Sequence, residues 1–302
     1  MKRALPVFVL LFVIFSQSYA QISLDRSPEA PQVTMSEIVQ FDDPPFAYVL
    51  DVLGNYFQAI PDNTFLTAAN LFMYSNSLSL YAGDMGPDGR YFAADNSSRV
   101  LYEVDFSGNT LQPVAPITGI ISGQTITGMT YHRPSGTMYF STSNGSVSAL
   151  YTINLATGVL TPIGQITNCP IAIDLAINED GELFTVEIAN DNLVKINPTT
   201  GVGTIVGPLG LNANFAQSMD FDDNTGALYW AAYSLGGQIR IIDTDTGGSV
   251  LVASGTTEYC GLSIFSDLEP PAIPLGYFAL LVFALLAGGY LLLRSRRVGA
   301  VA

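Results

Sequence analysis

Four segments of the chain pass through one sequence pattern at intervals between 43 and 50 residues, and that periodicity limits the fold more than any single residue does. The clearest copy, 126–166, reads ITGMTYHRPSGTMYFSTSNGSVSALYTINLATGVLTPIGQI, and its relatives begin at Leu80, Ile171 and Ala216. Each copy divides into four short apolar or alternating stretches separated by turns. In the clearest copy these are 127–131 (a), 137–142 (b), 149–154 (c) and 159–163 (d). Such a unit cannot bury its apolar faces alone, and a strand-built repeat of this length is the pattern of propeller blades. Glycines punctuate it. Gly89, Gly136, Gly181 and Gly226 close the a–b turns, and Gly108, Gly158, Gly201 and Gly247 the c–d turns, where a positive φ is open to glycine.

The chain holds one further blade in two pieces. Residues 46–70 parallel 183–207 and supply strands b, c and d without a strand a, while 259–265 parallel the opening of a repeat and are followed by no b, c or d. Joining the pieces predicts an all-β, five-bladed propeller over 46–267, closed by pairing of its two ends, which removes exposed sheet edges. Residues 34–41 leave six blades as the alternative. The spacing Tyr-x-x-Asp/Asn-x-x-Thr-Gly, as in Tyr151, Asn154, Thr157 and Gly158, resembles that of secreted YVTN and NHL-type propellers over most of 46–267. That resemblance implies a binding scaffold more often than an enzyme.

Both ends read as targeting devices. Lys2 and Arg3, the apolar run 4–15 and the Ser18-Tyr19-Ala20 cleavage pattern make 1–20 a secretory signal peptide, followed by an exposed lead-in over 21–45. After a linker at 268–272, residues 273–293 carry no charge and precede Arg294, Arg296 and Arg297 in the tail 294–302. About 20 apolar residues rising roughly 1.5 Å each cross a hydrocarbon core of about 30 Å, so the segment is expected to be a transmembrane helix with its basic tail in the cytoplasm and the propeller outside. The order of prolines (Pro270, Pro271, Pro274), apolar helix and arginines resembles the carboxy-terminal sorting signals of the PEP-CTERM and IPTL-CTERM types. That resemblance implies a sorting protease that cuts the tail and transfers or releases the propeller; without it the segment is a single-pass anchor.

Between these ends remain six basic residues and all 26 acidic ones, a net charge of −20. Such a field repels phosphate backbones, so no nucleic acid partner is expected. Cys169 and Cys260 occupy matching places ahead of a strand a, and both a disulfide and two buried thiols are open. His132 is the single histidine and Lys195 the single lysine after Lys2; no catalytic set, metal site or cofactor is expected. The runs at Asp222-Asp223-Asn224 and Asp243-Thr244-Asp245 fall at turns, where these residues are favoured for backbone reasons, and lack a full calcium loop. Trp230, Tyr139, Phe184, Tyr91 and Phe92 recur in strand b and read as packing between blades. Asp174, inside a strand a, is a candidate to bring a carboxylate to the axis. The b–c loops and d–a crossovers, unlike the a–b and c–d turns, differ from blade to blade, and that freedom marks their rim for recognition. Candidate ligand-binding residues there are Asp95, Asn96, Asn144, Asn190 and Asp191, with a surface macromolecule or glycan as partner. The alternative is a secreted propeller enzyme, a polysaccharide lyase or hydrolase acting at the channel mouth.

Overall fold

The computed structural model describes residues 45–265 apart from Thr256. The leader 1–20, the lead-in before Pro45, the linker 268–272, the apolar segment 273–293 and the tail 294–302 lie outside the described residues, as does the strand material at 34–41 that a sixth blade would use.

The described residues form twenty strands in five four-stranded antiparallel sheets. Blade 1 contains β1 (Ala47–Asp51), β2 (Tyr56–Ile60) and β3 (Ala69–Met73). Blade 2 is β4 (Leu80–Met85), β5 (Tyr91–Asp95), β6 (Val100–Asp105) and β7 (Thr110–Pro116). Blade 3 is β8 (Thr125–His132), β9 (Thr137–Ser143), β10 (Ser148–Ile153) and β11 (Leu160–Ile166). Blade 4 is β12 (Ala172–Ile177), β13 (Leu183–Glu187), β14 (Asn192–Ile196) and β15 (Gly203–Pro208). Blade 5 is β16 (Ser218–Asp222), β17 (Ala227–Tyr233), β18 (Gly237–Ile242) and β19 (Ser249–Ser254), after which β20 (Tyr259–Ile264) returns to complete blade 1. There β20 pairs with β1 through Ala47↔Ile264, Tyr48↔Ser263, Leu50↔Cys260 and Asp51↔Tyr259. Phe265 N donates to Phe46 O at 2.8 Å just beyond the last pair. The inner strands touch in the cyclic order β4, β8, β12, β16, β20 and back to β4. The composite blade expected from the sequence is present, and the count is five.

Each hydrophobic cluster joins two neighbouring blades. Phe92 of blade 2 packs with Met129 and Phe140 of blade 3; Leu150 of blade 3 with Leu175 and Val194 of blade 4; Phe184 of blade 4 with Trp230 of blade 5. Tyr229 of blade 5 meets Val49 and Leu262 of blade 1, and Phe57 of blade 1 meets Tyr91 of blade 2. The strand b aromatics therefore pack between blades, as their recurrence implied. Full burial of such side chains is worth about 1.5–3 kcal/mol each, and here that gain is realised only when adjacent blades are both folded. Cys169 and Cys260 lie in different clusters and are free thiols, so of the two alternatives the structure shows buried thiols and no disulfide.

Local turns depart from the sequence reading in two places. The left-handed residue of the c–d turn in blade 2 is Asn109 (φ 51), while Gly108 does not adopt a positive φ. Asparagine tolerates that region because its short side chain bonds locally, so the pattern's glycine was displaced by one residue without loss of the turn. In blade 1 the c–d connection runs on to 68 and strand d begins at Ala69. The stretch includes Phe65, whose ring packs against Phe46 and Tyr229 at 5.7 and 5.6 Å and so takes the connection across to blade 5.

Candidate binding rim

At the axis, polar side chains of the inner strands hold the backbone of the next inner strand around the whole ring. Asp84 Oδ2 accepts from Tyr131 N (2.7 Å), joining blades 2 and 3. Asp174 sits in an irregularity of β12 with φ 55. Its Oδ1 accepts from Met129 N (3.3 Å), and its Oδ2 from Met219 N (2.9 Å) and Ser218 Oγ (2.7 Å), so one carboxylate joins blades 3, 4 and 5. Asp220 Oδ2 accepts from Ile264 N (2.7 Å) and Ser218 Oγ from Leu262 N (2.5 Å), joining blades 5 and 1. Met85 N donates to Ser263 Oγ (3.1 Å), closing blade 1 on blade 2. From the a–b turn of blade 3, Arg133 donates to Asp223 Oδ2 (2.5 Å) and Ile264 O (3.4 Å), reaching blades 5 and 1. Approach is so close that a Cβ on Gly128 would lie 2.5 Å from Asp174 Cα. Burial pushes the Asp174 carboxyl up to about 8 against the pull of hydrogen bonds from Ser218, Met219 and Leu175, and it raises Asp84 and Asp220 as well. The axial carboxylates are committed to backbone.

At the end of the blades that carries the b–c loops and crossovers, the candidate residues shape their loops. Asp95 is wholly buried. Its oxygens accept from Ser79 N (2.7 Å), Ser97 N (3.2 Å), Ser98 N (2.9 Å) and Ser98 Oγ (2.5 Å). Burial alone would raise its pKa, and these hydrogen bonds lower it instead. Asn96 Oδ1 accepts from Ile126 N (3.0 Å), tying the b–c loop of blade 2 to β8. Asn144 Oδ1 caps its own loop at Ser146 N (3.0 Å) and Val147 N (2.8 Å), while Asn190 donates from N and Nδ2 to Glu187 Oε2 (3.0 and 3.1 Å). Asp191 Oδ1 accepts from Ala213 N (2.8 Å). Of this set Asn144 and Asn190 are exposed, Asn96 and Asp191 half-buried, and Asp95 and Asp174 buried.

The two ends of the blades differ in charge. Asp62, Asp88, Arg90, Glu179, Asp180, Asp243 and Asp245 are exposed, and all lie in a–b or c–d turns. At the opposite end the charged residues among those described are Asp51, Asp95, Arg99, Glu187, Asp191 and Glu258, each buried or half-buried. Asp51 accepts from Leu53 N and Gly54 N, Arg99 donates to Gln124 O, and Glu258 accepts from Ala216 N. What that rim exposes is uncharged: Ser97, Ser98, Asn144, Ser146, Asn190, Asn212 and Asn214, with Leu53, Ile121, Phe215 and Leu235. Both described chain ends, Pro45 and Phe265, leave from the charged end. Two clefts among the described residues, of about 50 and 10 Å³, are far below the roughly 300–1,000 Å³ of small-molecule sites. His132 has one ring nitrogen 2.7 Å from Ser135 Oγ and the other 3.2 Å from Glu179 O, so it braces two a–b turns.

Residues 107–248, from the c–d turn of blade 2 to that of blade 5, match the model of a repeat of unknown function, DUF6923. No curated protein matches the chain. Among solved structures it resembles the calcium-binding protein regucalcin from Agrobacterium tumefaciens, at 16% identity over 71% of this chain and 72% of that one, with a TM-score of 0.46. A gluconolactonase from Xanthomonas campestris is 12% identical over 68% and 70%, with a TM-score of 0.48. A catalytically inactive virginiamycin B lyase from Staphylococcus aureus is 15% identical over 72% and 65%, with a TM-score of 0.42. Likenesses this distant leave the site to be read from this chain's own residues.

Proposed function

We propose that the chain is an exported binding scaffold, anchored at the cell surface or released from it, whose five-bladed propeller captures a surface macromolecule on its uncharged rim. The observation that carries this reading is the segregation of exposed charge: the loops free to vary between blades are also the loops stripped of exposed charge. The chain ends leave from the opposite, acidic end, so a membrane segment at 273–293 would hold the acidic turns toward the cell and present the uncharged rim outward. The axial carboxylates, bonded to backbone around the ring, supply no free base for the lyase or hydrolase alternative, and His132 stands at the far end from the variable loops.

The test pairs Asn144→Ala with Asn190→Ala on the rim against Asp180→Asn on the acidic end, in the full chain. The rim pair should weaken partner capture on intact cells by about tenfold or more, at a cost in stability of roughly 1–2 kcal/mol from the loop hydrogen bonds the two side chains make. Asp180→Asn should leave both measurements where they are. Unchanged capture in the rim pair, with loss in Asp180→Asn, contradicts the reading.

A further inference from the structure

The crossover from blade 4 to blade 5 carries an aromatic residue that the sequence reading passed over. Phe215 has φ 66, a left-handed backbone that bulky side chains rarely adopt. Phe65, the other phenylalanine in that region of φ among the described residues, packs among aromatic rings and is half-buried. Phe215 instead keeps 52% of its surface in solvent. Among the described residues its ring meets one other, Tyr233, edge-on at 5.8 Å, and Tyr233 O accepts from Asn214 N at 2.9 Å, which pins the crossover to the b–c loop of blade 5. Asn212 and Asn214, both exposed, precede it in the same crossover and hold each other through a 2.8 Å amide hydrogen bond. Leu235, fully exposed, follows Tyr233 by two residues. The left-handed crossover therefore leaves half of an aromatic side chain in solvent on a stretch that also carries two neutral amides.

The composition of the rim selects among partners. A lipid surface or nucleic acid presents anionic phosphate to a propeller of strongly negative charge, and both would be repelled. A basic peptide would find no exposed carboxylate on this rim. A neutral polysaccharide needs what is present: an aromatic ring against which the C–H groups of a sugar can lie, and amide and hydroxyl groups that both donate and accept. Deepening the proposed function and resting on it, we infer that Phe215 beside Tyr233, with Asn212 and Asn214, is a docking site for an uncharged polysaccharide chain running across the rim.

The test is electrophoresis of the detergent-solubilised full chain through native gels containing dextran, a mannan or a β-1,3-glucan, with alginate as the anionic control. Light scattering of the same samples reports self-association. Retardation by at least one neutral polysaccharide is expected, insensitive to salt between 50 and 500 mM, and absent with alginate. Phe215→Gly should reduce that affinity at least tenfold while its melting temperature stays level or rises, since glycine relieves the left-handed strain. Asn212→Ala with Asn214→Ala should reduce it less. No retardation in any neutral gel overturns the inference, as does retardation that Phe215→Gly leaves intact or a dimer that this variant dissociates. In those cases capture on intact cells still sensitive to Asn144 and Asn190 would leave the rim reading standing, whereas insensitive capture would remove both.

Discussion

Asp174 binds three inner strands with one carboxylate, and its position could be read from the sequence while its role could not. A carboxylate inside strand a is visible in AIDLAI; that its oxygens reach Met129 N, Met219 N and Ser218 Oγ depends on a backbone irregularity that no residue type announces. Asp84, Asp220, Ser218 and Ser263 were overlooked, although all stand in inner strands of the repeat, where a recurring polar residue is a detectable signal. Phe215 was beyond reach, since left-handed backbone at phenylalanine has no sequence marker. Asp174→Ala should destabilise the fold by about 3 kcal/mol, because buried donors on three strands lose their acceptor, whereas Asp174→Asn, which keeps one acceptor and tolerates the φ, should cost less. Thermal melting measures both. Burial raises this group to about 8 in the folded state, above its ordinary value of 3.8, so its contribution to stability is complete below about pH 4 and is lost as pH rises through 8. Glu258, raised by burial to about 7, acts in the same direction. The melting temperature should therefore fall between pH 4.5 and 8, and Asp174→Asn should flatten that slope; a melting temperature that rises over this range contradicts the assignment.

At the scale of strands and turns, the glycine pattern was legible but its reasons were only half so. Gly136 (φ 66) has open space around a would-be Cβ, the nearest atom being Tyr131 Oη at 3.8 Å, so it is required by conformation alone. Gly158 (φ 69) is required twice, because a Cβ there would lie 2.2 Å from Pro116 O of the neighbouring blade. Sequence shows the turn; only packing shows that this turn is pressed against another blade. Gly136→Ala should cost about 1 kcal/mol, and Gly158→Ala roughly 3 kcal/mol, since backbone must move. Equal losses in chemical denaturation would show that the contact between blades is soft.

For the whole molecule, the split blade was legible because strand a was missing at one end and left over at the other. Removal of everything after Glu258 takes away β20 and with it the buried Cys260, Leu262 and Ile264 and the bonds at Ser263, Leu262 and Ile264 to blades 2 and 5. Because each cluster needs both its blades, the truncated chain should lose cooperative melting altogether; a transition matching that of the full chain would mean that the ring does not depend on its closure. The polarity of charge was not legible, since the sequence shows 26 acidic residues but not that, among the described residues, the exposed ones gather in a–b and c–d turns. That polarity carries the claim that recognition occurs on the uncharged rim. Photo-cross-linking on intact cells tests it most directly, with a photoreactive residue placed at Asn144 or Leu235 on the rim and at Asp180 among the acidic turns. Adducts of higher mass should form from Asn144 and Leu235 and be absent from Asp180; adducts from Asp180 alone would contradict the account.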